Sequence, residues 1–422
     1  MNMETTFQGI DQKKGVKAVI DIEKLRNVPF ESRDRCMICG SGPSEPVIRL
    51  PKFPMTEIYT NEKVTEKVAY ADQEFHFCQR CGHGQIANVI DVELQYGSTL
   101  SYHFRTSESA TGSESADFFV QFLNRVAGMR HFGTVVELGC NDLYLLKSLR
   151  PKADRLIGVD PILKDREQEL SDDRIQVIGD FFENVELSGE LDLVICKDTL
   201  EHVSDPLSFV KKIVDKGTEE TLFFFQFPIL ETLLSGCRFD QIFHQHLNYF
   251  SLKSIIHMLD ELGCRLIDYT INVNHWGAIL IAFKKGHDNL KYRDEVWQIT
   301  RPEILERYSL FRANMEATAQ RLSYLGPETI YGYGAALMLP VLAYHLGSDL
   351  SYLKCVLDDD IKKAGLYYIN LPVTIRRREE VTDIDESVIL ITAIASMNNV
   401  RRILARLFDL NPKQIILPLN TI

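Results

Sequence analysis

Residues 133–149 read GTVVELGCNDLYLLKSL: an apolar run, a glycine-bearing turn, then leucines at helical spacing. The apolar run predicts a buried strand and the leucines predict an amphipathic helix directly after it. Gly139 lacks a Cβ, so the backbone at the turn can approach a ligand closely, and the start of the next helix favours negative charge. The pattern repeats outward from this turn. RLIGVDPI (155–162) predicts a second strand ending in an acid, RIQVIGDFF (174–182) a third, LDLVICKDTLEHVSDPLSFVKKIV (191–214) a fourth with a loop and helix, and TLFFFQFP (221–228) a fifth. Such alternation predicts an α/β fold: a doubly wound, mostly parallel sheet with its ligand at the carboxyl ends of the strands.

Two cofactors suit ELGCND, Glu137 to Asp142: a dinucleotide or S-adenosylmethionine. The dinucleotide fingerprint requires G-x-G-x-x-G, whereas Asn141 and Tyr144 stand where its later glycines belong. Asp160, closing the second strand, suits a ribose diol, whose hydroxyls both donate to one carboxylate. Asp180 and Phe181, after the third strand, suit an adenine amino group and ring. Taken in order, Glu137, Gly139, Asn141, Asp160, Asp180, Phe181 and Asp198 favour S-adenosylmethionine.

CMICG (Cys36, Cys39) and CQRCG (Cys78, Cys81) are two C-x-x-C-G knuckles that together supply four thiolates to a tetrahedral zinc. A redox C-x-x-C would be single and close to a βαβ unit. Four protein ligands leave no open position for water, so the metal is expected to be structural, Zn2+. The remaining cysteines are scattered singly, as expected of reduced thiols rather than a disulfide framework.

The expected division is an extension over 1–30, poorly ordered or loosely packed, a zinc-binding domain over 31–100, the cofactor sheet over 101–288, and a smaller C-terminal α/β unit over 289–422. The last rests on helical periodicity across 295–325, then YGYGAA (331–336), VLDDDIKKAG (356–365), SVILITAIA (387–395) and KQIILPL (413–419). A formal charge of −12 over 422 residues offers no basic stripe for nucleic acid. Arg376–Arg377–Arg378 reads as a solvated patch. No apolar run reaches signal-peptide or membrane-span length, so the expectation is a cytoplasmic protein with no membrane partner.

FDQIFHQHLNYFS (239–251) carries two of the chain's 11 histidines, His244 and His246. Three readings stay open for them: a metal pair, completed only by Asp240 as a carboxylate; a general base with a helper; or satisfied structural histidines. Asp198, Glu201 and His202, in KDTLEHVSDP, end the fourth strand and face the same cleft.

From Cys36 onward the chain resembles the sugar C-methyltransferases of deoxysugar biosynthesis. The resemblance rests on CMICG, CQRCG, ELGCND, GVDP, LEHVSDP, DQIFHQHLNYFS, YGYGAA and VLDDDIKKAG. It implies a class I methyltransferase core of Rossmann-like fold, a small zinc-binding domain before it, and a Rossmann-like C-terminal domain that helps enclose a nucleotide-linked keto-sugar. It further implies that His246 removes a proton beside the ketone, that His202 lines the sugar pocket, and that the enolate attacks the methyl sulfonium.

The departures lie at Phe243 and Gln245 in Phe243-His244-Gln245-His246, where the family usually has Tyr-His-Glu-His. A phenyl ring donates no hydrogen bond and an amide takes no proton at neutral pH. Gln226 replaces a frequent glutamate, Asp198 an asparagine, and His275–Trp276–Gly277 a His-Gly-Gly turn. Leu143 stands where a glycine is usual, adding bulk beside the cofactor loop. Three functions fit: C-methylation retuned for another keto-sugar; other chemistry on the same ligands, by epimerisation or O-methylation; or non-catalytic binding. A monomer is favoured, though nothing in the sequence fixes the oligomeric state.

Overall fold

The strand Phe132–Leu138, predicted from the opening stretch, lies inside a seven-stranded sheet in the computed structural model, which describes residues 6–10, 17–42, 45–91, 94, 105–273, 275–394 and 396–419. Its order is Ile175–Ile178, Ala153–Val159, Phe132–Leu138, Leu193–Lys197, Leu222–Phe227, Ala278–Lys285, Cys264–Asn272. The first five are parallel; Ala278–Lys285 enters antiparallel between the fifth strand and the edge strand Cys264–Asn272. Sequence reading anticipated the five parallel strands but not this antiparallel pair.

Both faces of the sheet are covered, as parallel sheets require. Alternation along Leu222–Phe227 shows how: Phe223, Phe225 and Phe227 enter one core and Phe224 the other. One core is roofed by helices Pro206–Lys216 and Leu252–Glu261, the other by Ala110–Ala127 and the short helix Tyr144–Ser148. Asp205 starts the helix at Pro206 by accepting from the Ser208 amide at 3.0 Å, and Ser109 does the same for Gly112 at 3.1 Å.

The zinc-binding module has its own antiparallel sheet of Ile48–Pro54, Tyr70–Phe77 and Gly84–Ile86. Its fourth strand comes from elsewhere: Asn248–Tyr249, just after His246, pairs with Gly84 and Gln85. The C-terminal unit is a five-stranded parallel sheet ordered Ile375–Arg377, Leu353–Asp358, Ile330–Tyr333, Val388–Ile391, Gln414–Ile416. The long helix before it runs Arg301–Ser323, starting later than the periodicity suggested because Thr300 caps it and Pro302 fills its first turn.

Two sequence expectations need correction. Residues 1–5 and 11–16 lie outside the described residues, but Ile22, Leu25 and Val28 are buried with Met55, Ile58 and Val68, so the end of the extension is packed core. The units are also less separate than the division implied. One continuous core runs from Phe53 and Phe75 of the zinc-binding module, through Phe239 and Phe243, to Tyr331, Tyr333 and Ile389 of the C-terminal sheet.

Candidate active site

The two knuckles face each other. Cys36 and Cys81 place their sulfurs 3.5 Å apart, Cys39 and Cys78 likewise 3.5 Å, and all four sulfurs lie within 4.8 Å of one another. A tetrahedron with Zn–S bonds of about 2.3 Å has edges of about 3.8 Å, so the donor set fits zinc. Each knuckle closes through its glycine: Gly40 and Gly82, both at positive φ, donate to the carbonyls of Cys36 and Cys78 at 2.9 and 2.8 Å.

At the cofactor turn, Gly139 has φ +72°, and a Cβ there would stand 2.0 Å from the Thr199 hydroxyl. Only glycine fits this cradle. The Asn141 amide donates to Asp160 at 2.7 Å while the Ile162 amide donates to its other oxygen at 3.0 Å. Burial pushes the Asp160 carboxyl up to about 6 against those two donors. The Asn141 side chain accepts from the Thr106 amide at 3.2 Å, and Asp142 accepts from Ser107 at 2.9 Å, fastening the segment before helix Ala110–Ala127 onto the turn. Glu137 is buried beneath, one oxygen without a partner among the described residues, and desolvation raises its carboxyl well above the usual range. Asp180 is exposed at the end of the third strand; the Asn184 side chain and the Phe181 amide hold its carboxyl low. Phe181 is half-buried beside it.

Leu143 does not crowd the cofactor side. Its backbone is left-handed, φ +67°, and its side chain is fully buried beneath the turn with Cys140, Leu145 and Leu146. The expectation of bulk beside the loop is therefore corrected: the side chain joins the core beneath.

A cavity of about 630 Å³ opens between the carboxyl ends of the central strands and the C-terminal sheet. Asp198, at φ +52°, accepts from Gln226 at 2.8 Å, pairs with Lys197, and lies 3.3 Å from the His275 ring. Burial opposes its charge, but Lys197, His275 and the Gln226 amide outweigh burial and hold it well below the carboxylate range. Gln226 is itself fixed, donating to Ser115 at 3.1 Å and accepting from Asn272 at 3.2 Å.

His202 donates from Nδ1 to the Gln245 carbonyl at 2.8 Å, and its ring meets His246 edge-on at 5.0 Å. The His246 ring also lies tilted against Phe243 at 4.1 Å and Trp276 at 5.9 Å between centroids. Its Nδ1 has no hydrogen-bond partner among the described residues. Burial first, then the neighbouring His202, keeps His246 neutral far below the usual imidazole range. Glu201 is likewise pushed up by burial, and Glu201, His202 and His246 place one ligand atom each within 4.8 Å of one another.

His244 is elsewhere. Its Nε2 donates to the Phe53 carbonyl at 3.1 Å, Gln73 donates to its Nδ1 at 3.1 Å, and burial lowers it to about 4. Both nitrogens are used in anchoring the segment to the zinc-binding sheet, so the expected catalytic part for His244 is corrected to a structural one. The metal reading of the H-x-H pair falls with it, because Asp240 is also taken, held bidentately by Arg238 at 2.8 Å.

Sequence reading missed several cavity residues, one of them an acid beside Gln245. Glu57, from the zinc-binding module, lines the cavity and accepts from the Gln245 amide at 3.2 Å. No spacing rule links positions 188 residues apart.

A sheet of this order with an antiparallel seventh strand, a glycine cradle after its first strand, and a four-thiol site before it define a class I S-adenosylmethionine-dependent methyltransferase with a structural zinc-binding domain. The comparisons agree. Residues 113–269 match a methyltransferase domain model and residues 36–96 a zinc binding domain model. Along most of its length the chain is related to a C-methyltransferase: NovU of Streptomyces niveus is 23% identical over 358 residues, covering 79% of this chain and 83% of that protein. The kinship expected from the motifs is borne out.

Solved structures similar to it include N-methyltransferase NodS of Bradyrhizobium japonicum WM9 in complex with S-adenosyl-L-homocysteine, at 13% identity and TM-score 0.34 over 43% of this chain and 90% of that one. Magnesium protoporphyrin IX methyltransferase of Synechocystis PCC 6803 with bound S-adenosyl-L-homocysteine is similar at 13% identity and TM-score 0.35, over 42% and 84%. Among the described residues no helix is long and apolar enough to cross a membrane.

Proposed function

We propose that this methyltransferase transfers methyl to a sugar carbon beside a ketone, on a nucleotide-linked keto-deoxysugar, with His246 as the base. The observation that carries this reading is the His246 imidazole: buried, neutral, with Nδ1 unpartnered, in the wall of a cavity large enough for a sugar nucleotide. A neutral imidazole takes a proton from carbon, and the α-position of a ketone is the acidic carbon that such a weak base can serve. His202, fixed by its bond to the Gln245 carbonyl, lines the same cleft. Asp198, negative near both rings, stabilises the imidazolium that forms.

Bound S-adenosylmethionine supplies an electrophilic methyl on sulfonium. The residues proposed to hold it are Gly139 and Asn141 at the turn, Asp160 for the ribose, Asp180 and Phe181 for the adenine, with Glu137 and Asp198 shaping the floor. The outer cavity wall carries Lys362, Lys363, Arg402 and Arg406, which suit a diphosphate.

His246→Asn tests the base directly. Turnover on nucleoside diphosphate 4-keto-6-deoxyhexoses, read by mass spectrometry, should fall by at least ~10² to 10⁴-fold, while S-adenosylmethionine binding by calorimetry stays unchanged. Undiminished methylation by the variant would remove His246 from the role.

A further inference from the structure

The cleft lacks a proton donor where Phe243 and Gln245 stand, and the zinc-binding module supplies one. Glu57 enters the cavity from the loop before Tyr59, on a left-handed backbone with φ +68°. A non-glycine residue there is strained, and such strain gathers at functional sites. Gln245 is oriented toward it. Thr56 directs its hydroxyl to the Gln245 carbonyl oxygen at 3.5 Å, which turns the amide nitrogen to Glu57 Oε2 at 3.2 Å. Glu57 is one of the residues that line the cavity.

We infer that Glu57 is the general acid of this site, giving a proton to the substrate's ketone oxygen while His246 takes the one on the adjacent carbon. The inference rests on the keto-sugar reading. In balance, His246 gains the carbon-bound proton and the C–H pair becomes the C=C bond. The carbonyl π pair takes up the Glu57 proton, leaving an enol, an imidazolium and a carboxylate. When the enol C=C pair forms the new bond to methyl, the methyl–sulfonium bond breaks with its pair left on sulfur, the O–H pair re-forms the carbonyl as the oxygen-bound proton returns to Glu57, and the imidazolium releases its own proton to solvent.

Protonation at neutral pH is consistent with the surroundings. Burial pushes the Glu57 carboxyl up to about 7, opposed only by the Gln245 hydrogen bond. Tyr59, His202, His246 and Arg105 line the same cavity, as do Asp358, Asp360 and Lys363 from the C-terminal turns. Among the described residues none of the cations forms an ion pair with Glu57, which would have held it ionised; Arg238 is taken by Asp240, and Lys363 turns to the Ala335 carbonyl at 3.0 Å. Gln245 stands between Glu57 and His202, giving one group its side chain and the other its carbonyl.

The experiment compares the full-length wild type with Glu57→Gln and Gln245→Leu on the same panel of nucleoside diphosphate 4-keto-6-deoxyhexoses, reading methylation and carbon-bound deuterium uptake in D2O across pH. Wild-type kcat should fall as pH rises through about 7, where Glu57 gives up its proton. Glu57→Gln should lose this limb and run ~10² to 10³-fold slower with little change in KM. Gln245→Leu removes the bond favouring the charged form, so its limb should move to higher pH, an effect a merely structural residue would not produce. Should the wild type methylate a sugar while Glu57→Gln keeps its rate and limb, Glu57 is not the acid and the keto-sugar reading stands. Should the wild type neither methylate nor exchange any member of the panel, the keto-sugar reading fails and the inference with it.

Discussion

At the scale of single residues, Leu143 shows two costs in opposition. A left-handed backbone at an L-residue costs roughly 1–2 kcal/mol, and a glycine would relieve it. The side chain, however, is fully buried among Cys140, Leu145 and Leu146, and emptying such a site typically costs about 2–5 kcal/mol. Leu143→Gly should therefore lower stability by ~1–3 kcal/mol in urea denaturation. A more stable variant would mean that the turn is strained beyond what its packing returns. His244 teaches a related lesson. Its spacing from His246 invited a shared role, yet the pair lies in a turn before the strand at Asn248, and the two rings point to different modules. Period-two arguments need a strand, and none exists there.

At the scale of elements, the parallel strands and the glycine turn were legible because each is written in neighbouring residues: an apolar run, a glycine, an acid at the strand end. The antiparallel pair Cys264–Asn272 and Ala278–Lys285 was not, since a strand that returns beside the fifth is fixed by tertiary packing. Glu57 was invisible for the same reason: its meaning comes from Gln245, far along the chain. The strand Asn248–Tyr249 is paired with the zinc-binding sheet. Removing zinc with a strong chelator should therefore release amide protection at Gly84–Ile86 and at Asn248–Tyr249 together in hydrogen exchange, and should end methyl transfer. Protection that survives metal removal would show that the sheet stands without its metal.

At the scale of the whole molecule, the shared core makes the C-terminal sheet part of the site's wall rather than an appendage. Polar ties cross the joint at several points, Arg402 to Glu114 and Lys362 to Glu108 among them, and one of them joins two buried charges. Arg238 holds Asp240 with two bonds and donates also to the Ile394 carbonyl at 2.9 Å, and both side chains are buried. Arg238→Met leaves a buried carboxylate unpaired and should cost roughly 3–5 kcal/mol in unfolding, whereas Arg238→Met with Asp240→Leu should recover much of it. An unaffected single variant would show that this buried pair adds nothing to the joint.

The borrowed strand after His246 has a consequence for how such chains can be recombined. Its backbone is completed by residues more than a hundred positions upstream, so a methyltransferase sheet transplanted without the knuckle module would arrive with His246 beside an unmatched edge. The heritable unit is thus a patchwork: one sheet, the thiol-bound clasp beneath it, and the loop that carries Glu57. Exchange of acceptor preference between relatives should succeed when crossovers keep that patch whole and fail when they cut between residues 57 and 246, however well the cofactor turn itself is preserved.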